Sequence, residues 1–166
     1  MAITTLSGVL IAATLFVAIV TGLLFGFALL TMPGIGRMSD REFVRAFQFI
    51  DRIIQNGHPL FVVTWAGSAL LLPLATVLSF RTGVEAQPVL ILSATVGYYL
   101  GVQLPTIAIN VPLNNALQKV DAVSLDEATI GAARRDFETR WNRWNQVRTV
   151  VGVAVTVLLL IAIAVG

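Results

Sequence analysis

The sequence predicts an all-α integral membrane protein: a four-helix antiparallel bundle with an additional amphipathic helix on the cytoplasmic side and a long extension of the fourth helix. Three observations predict it. Hydrophobic residues make up 57% of the 166 residues and charged residues only 12%, about half the charged share of a soluble domain, so most of the surface must face lipid. Four apolar runs come near the roughly 20 residues that a spanning helix needs. Lysine and arginine crowd into two of the three connecting segments and nearly avoid the third.

The chain is read as one domain, residues 1–166. Its spans are 6–32, 59–80, 89–109 and 149–166, the last near the lower length limit. In lipid every backbone polar group needs an internal partner, so these runs are helices. No basic residue precedes the first run, which is too long for a signal-peptide core, so it reads as a retained helix. The pairs Gly22 with Gly26 and Gly97 with Gly101 have the small-residue spacing that lets helices approach closely, although glycine is common in membrane helices in any case.

Arg37, Arg41, Arg45 and Arg52 lie between spans one and two. Lys119, Arg134, Arg135, Arg140, Arg143 and Arg148 lie between spans three and four or at their edge, whereas Arg81 stands alone between spans two and three. Basic residues favour the cytoplasmic side. The expected topology therefore puts both long segments inside, and both termini and the Arg81 loop outside.

Each long segment carries a helix-start signal. Ser39 and Glu42 form a capping box ahead of a helix over 40–56. There Phe43, Phe47, Ile50 and Ile54 share one face, opposite Arg41, Arg45, Gln48 and Arg52. Ser124 and Glu127 form a second box before a helix over 125–148. No proline follows it, so that helix can continue into span four.

The unusual polar residues fall at one depth, the inner boundary of the hydrocarbon. Asn110 follows span three, His58 precedes span two with Asn56 beside it, and Arg148 precedes span four. Trp141, Trp144, Asn145 and Arg148 recur at helical spacing, as do Asn110 and Asn114. Pro105 and Pro112 each deny an amide to a carbonyl one turn earlier. Tryptophans, amide donors and a guanidinium around one pocket suit a flat aromatic ligand that carries oxygens. The same residues have plainer structural readings. The tryptophans suit an interface belt, Arg148 can snorkel to headgroups, His58 can be a simple loop residue, and the asparagines can cap or join helices. Gln103 fits an interhelical hydrogen bond, and Pro73 a kink.

Other chemistry is poorly supported. The chain has one histidine and no cysteine, and no carboxylate falls within a span, so the ligand set for zinc, haem or copper is missing. A net charge of +2 is too small to suggest nucleic acid. No phosphate-cradling loop or dinucleotide fingerprint is present.

Three stretches carry a family resemblance: Ala46 to Pro59, with Gln48 and Asn56; Asn110-Val-Pro-Leu-Asn-Asn115; and Arg140-Trp-Asn-Arg-Trp-Asn-Gln-Val-Arg-Thr149. Together with the four spans they resemble the anthrone-oxygenase-like membrane proteins over nearly the whole chain. The resemblance implies oxidation of an anthrone to an anthraquinone by molecular oxygen, with neither metal nor flavin. It points to Gln48, Asn56, Asn110, Asn114, Trp141, Asn145 and Arg148. Many bacterial relatives carry histidine where this chain has Gln146, which draws attention to His58 as the base.

The expected enzyme is thus a cofactor-independent oxygenase for an enolisable, anthrone-like polycyclic aromatic. His58, Arg148, Asn110 and Asn145 would be catalytic, with Arg148 and an asparagine holding the enolate. Trp141, Trp144, Asn114, Gln48 and Asn56 would bind substrate, and no residue would bind metal. Expected partners are an apolar aromatic small molecule, molecular oxygen and membrane lipid, with no nucleic acid and with a homo-oligomer left open. The competing readings are a non-catalytic membrane protein that binds a lipid, quinone or drug-like aromatic, and an accessory membrane subunit.

Overall fold

The computed structural model describes residues 4–81 and 86–166. Most of the expected Arg81 loop, residues 82–85, lies outside them. The described residues are helical with no strand, and four helices are long and apolar enough to cross a membrane: Thr5–Ile35, Pro59–Ser79, Gln87–Gln118 and Glu127–Val165.

The first crossing runs through α1 (Thr5–Gly26), a π-helical turn (Phe27–Thr31) and α2 (Met32–Ile35). Next come α3 (Asp40–Gln55) and the second crossing, α4 (Pro59–Ser79). The third comprises α5 (Ala86–Tyr98), π-turns Tyr99–Gln103 and Thr106–Asn110, and α6 (Val111–Gln118). The fourth is α7 (Glu127–Val165), one unbroken helix of 39 residues. At 1.5 Å per residue it is roughly 58 Å long, nearly twice the hydrocarbon thickness, and its first half packs against α3. In the bundle α1 packs on α4 and α7, and α5 packs on the same two, which closes the ring.

The expected ends of spans one and three extend further than the apolar runs, because their prolines do not break the helices. In each π-turn the residue just before a proline donates its amide five residues back. Met32 bonds the Phe27 carbonyl before Pro33, Leu104 bonds Tyr99 before Pro105, and Val111 bonds Thr106 before Pro112. A proline ring crowds the carbonyl four residues earlier, and a widened turn gives it room.

Two cores result. Leu10, Val17, Leu72, Ile91, Tyr98, Val155 and Leu159 fill the bundle. Phe27, Phe43, Phe47, Ile130, Phe137 and Trp141 fill the join between α3 and the first half of α7. Leu15, Leu70, Val77, Leu100 and Val150 remain exposed around the bundle, as side chains in lipid would. Of the glycine pairs, Gly97 and Gly101 face α7: a Cβ on Gly101 would lie 2.5 Å from Val151, and one on Gly97 3.4 Å from Val155. Gly22 and Gly26 have nothing within 4 Å and pack against no neighbouring helix.

The Ser39 box forms in both directions. Its hydroxyl, and after it the Ser39 amide, hold the Glu42 carboxyl below the usual carboxylate range. The second box does not form. Asp126 caps α7 by accepting the Thr129 amide, while Ser124 is turned back by Asp121, which accepts its amide at 3.2 Å and its hydroxyl at 2.6 Å. Arg41 then ties α3 to α7 through Glu127 at 2.6 Å and to the loop carbonyls of Ala122 and Leu125. Arg134 does the same on the other side, through Asp40 and the Gly36 carbonyl, with its guanidinium over the Phe43 ring.

Candidate functional site

Where the two cores meet, the side chains leave a cavity of about 210 Å³. That exceeds the ~150 Å³ hole that takes up benzene, so there is room for more than one ring. Its apolar wall comes from Leu24, Phe27, Phe47, Phe61, Trp65 and Trp141. Its polar atoms come from Asp51, Thr106, Asn110, Asn114, Asn145 and Arg148. The two crossings with proline-flanked π-turns converge here, and two of the three π-turns supply lining residues. Phe61 and Trp65, stacked at 5.5 Å between centroids, line the cavity from α4, and Ile107 and Val111, both exposed, line it from the third crossing. The exposed lining residues are apolar.

Arg148 is 4% exposed. It donates to Thr106 Oγ1 and Asn145 Oδ1, each at 2.9 Å, and its Nε has no protein partner. Its Cζ stands 5.8 Å from the Trp141 ring centroid. Among the described residues no carboxylate comes within 4.0 Å of it, since Arg41 and Arg134 make all the ion pairs there. A buried cation without a counter-ion is costly and is a favourable place for an anion to form.

Asn145 holds Arg148 and is itself held. Its amide nitrogen donates to the Leu24 carbonyl at 2.9 Å, one turn before the first π-turn. Asn110 donates to the Trp141 carbonyl at 3.4 Å, and its Oδ1 has no protein partner. Asn114 is a bridge. Its Oδ1 accepts from Trp141 Nε1 at 2.7 Å, and its Nδ2 donates to Asp51 Oδ1 at 2.8 Å.

Asp51, 1% exposed, was not among the residues expected from sequence. Its other oxygen accepts from Gln55 at 2.6 Å and Gln118 at 3.0 Å. Three side-chain amides thus donate to this one carboxyl group, at the opposite end of the Asn114–Trp141 bridge from Arg148. The signal for it was present: Asp51 stands four residues after Phe47 and three before Ile54, a charge within the apolar stripe. Thr106, one turn before Asn110, was missed as well.

Asn110, Asn114, Trp141, Asn145 and Arg148 therefore line a single cavity. Four other expected residues do not. His58 is exposed at the start of α4, where its carbonyl accepts the Val62 amide. Asn56 caps the end of α3 in solvent. Trp144 is half-buried away from the lining. Gln48 donates to the Leu117 and Val120 carbonyls at 2.8 and 2.9 Å, fastening α3 to the end of α6.

A family model described as anthrone oxygenase matches residues 51–158. The matched segment begins at Asp51 and contains every polar residue of the cavity. No curated protein and no solved structure matches the chain.

Proposed function

The chain belongs to the anthrone oxygenase family, and on that premise we propose that it is a cofactor-independent oxygenase acting on an enolisable, anthrone-like polycyclic aromatic taken from the membrane. The observation that carries this reading is a carboxylate and an unpaired guanidinium buried on one lipid-facing cavity.

The reaction turns a ring methylene and one O2 into a ring carbonyl and one water. Asp51 takes the first methylene proton, and the C–H electron pair moves into the ring as an enolate. Negative charge thereby passes from Asp51 to the substrate oxygen beside Arg148, whose free Nε donates to it. The electron-rich enolate passes one electron to O2, and the two radicals join in a C–O bond. The resulting peroxide takes up the proton held by Asp51. Loss of the second C–H proton, with O–O cleavage and departure of water, gives the second carbonyl of the quinone. Four electrons leave the carbon and O2 takes all four. The apolar wall keeps water from the enolate, and substrate and oxygen both concentrate in lipid.

In this reading the base is Asp51 rather than His58, which is exposed and does not line the cavity. Asn145 positions Arg148 and does not touch substrate, because both ends of its amide are committed. Oxygen uptake by the purified chain with an anthrone tests the proposal. Arg148→Ala should lower the rate roughly 10²–10³-fold, the usual cost of one oxyanion donor, and Arg148→Lys should recover part of it, since lysine keeps the charge but not the planar fork. Folded Arg148→Ala protein that oxidises anthrone at the parental rate would refute the mechanism.

A further inference from the structure

Two buried atoms of the cavity have no protein partner, and they differ in kind. Arg148 Nε is a donor and Asn110 Oδ1 is an acceptor. The proposed mechanism uses only the first. An enolate oxygen accepts hydrogen bonds and cannot satisfy Asn110 Oδ1, and no other step involves this atom.

The orientation of the Asn110 amide is not free. Its nitrogen faces the Trp141 carbonyl, and turning the amide over would set two carbonyl oxygens against each other. The acceptor therefore cannot trade places with the nitrogen, and it stays unpartnered on a residue that lines the cavity and is 2% exposed. Thr106, which receives Arg148 Nη1, stands one helical turn before Asn110 on the same face. The donor and the acceptor are thus neighbours, about one turn apart along the third crossing. A buried acceptor left unpaired costs about as much as a lost hydrogen bond, so a ligand that supplies a hydrogen there is favoured over one that does not.

We infer that Asn110 is a specificity-determining residue that selects substrates bearing a free hydroxyl in addition to the oxygen held by Arg148. The inference rests on the reading that the cavity holds an aromatic ketone, and it adds what kind. A ring system with a keto oxygen alone leaves Asn110 unpaired. A hydroxylated one donates its O–H to Asn110 Oδ1 while its keto or enolate oxygen accepts from Arg148. Its methyl ether keeps the oxygen but has no hydrogen to donate.

The experiment measures binding without oxygen, so that turnover plays no part. The full chain in lipid nanodiscs is titrated under argon with anthrone, a hydroxyanthrone and the methyl ether of the latter, following quenching of tryptophan fluorescence. The parent should bind the hydroxyanthrone roughly tenfold or more tightly than the other two. In Asn110→Leu the ratio of the affinities for hydroxyanthrone and anthrone should fall to about one. Comparing the ratio of affinities between parent and variant cancels differences in lipid partitioning. The parent measurement needs no variant and decides the matter alone if Asn110→Leu does not fold. Equal affinity for the three probes, binding of the methyl ether as tight as that of the hydroxyanthrone, or no binding of any of them overturns the inference. Oxygen uptake is read separately. Hydroxyl-selective binding without oxidation would sustain the role of Asn110 and remove the oxygenase.

Discussion

At the scale of single residues, function turns on which polar atoms are already committed. Asn114 spends both ends of its amide on Asp51 and Trp141, so it acts by holding others in place. Asp51→Asn should keep the shape of the cavity and lose the base. Anthrone oxidation should fall to near the uncatalysed rate, while binding of a hydroxyanthrone under argon persists. His58→Ala, at an exposed position, should oxidise anthrone as the parent does. Steady-state oxygen uptake by the two variants separates the assignments, and the reverse pattern would restore His58 as the base. Five cavity residues were legible in the sequence because their helical spacing and common depth are geometric facts. Asp51 was not. A charge on an amphipathic helix is ordinarily counted with the solvent face, and only the three amides of Gln55, Asn114 and Gln118, two of them far along the chain, make its burial tolerable. Thr106 was hidden for another reason: threonines that bond their own helix are common in membranes, and this one does so at 2.7 Å through the Val102 carbonyl.

Among the helices, the prolines were legible as a disturbance but not as a device. Sequence showed that Pro105 and Pro112 would disturb the hydrogen-bond ladder. It did not show that the first and third crossings would answer with π-turns, which needs knowledge of the packing that makes a wider turn worthwhile. The same holds for glycine. Both pairs have the same spacing, yet only Gly97 and Gly101 meet another helix. Gly101→Leu should therefore destabilise the protein by about 1–3 kcal/mol through overpacking, whereas Gly22→Leu should be nearly neutral. Thermal unfolding in detergent compares them, and equal losses would contradict the packing described. The caps make a pH prediction. The Glu42 and Asp126 carboxyls are both depressed, by the Ser39 hydroxyl and by the Thr129 amide respectively. A depressed folded value means that the cap is fully stabilising above the unfolded value of about 4 and is lost as pH falls through the lower folded value. Amide exchange at the starts of α3 and α7 should speed up below pH ~4, and no change there would argue against these caps.

For the whole molecule, the four crossings, the α3 helix and the unbroken α7 follow from composition and run length, which is why the fold was the most readable level. The expected sidedness rests on the placement of lysine and arginine alone. A cysteine at Ala128, beside the start of α7, should resist an impermeant thiol reagent in intact cells, and labelling would reverse the topology. Two of the counted arginines, Arg41 and Arg134, also fasten α3 to α7, and both helices contribute to the wall of the cavity. In the proposed mechanism this wall encloses a base and an oxyanion site that suffice for oxidation by O2. The most direct measurement is oxygen uptake by the purified chain in nanodiscs with a hydroxyanthrone and excess chelator, with Asp51→Asn and Arg148→Ala in parallel. The account predicts quinone formed mole for mole with O2 consumed by the parent, insensitive to the chelator and nearly lost in both variants. Uptake no faster than in empty nanodiscs, or equal uptake in all three proteins, would contradict it.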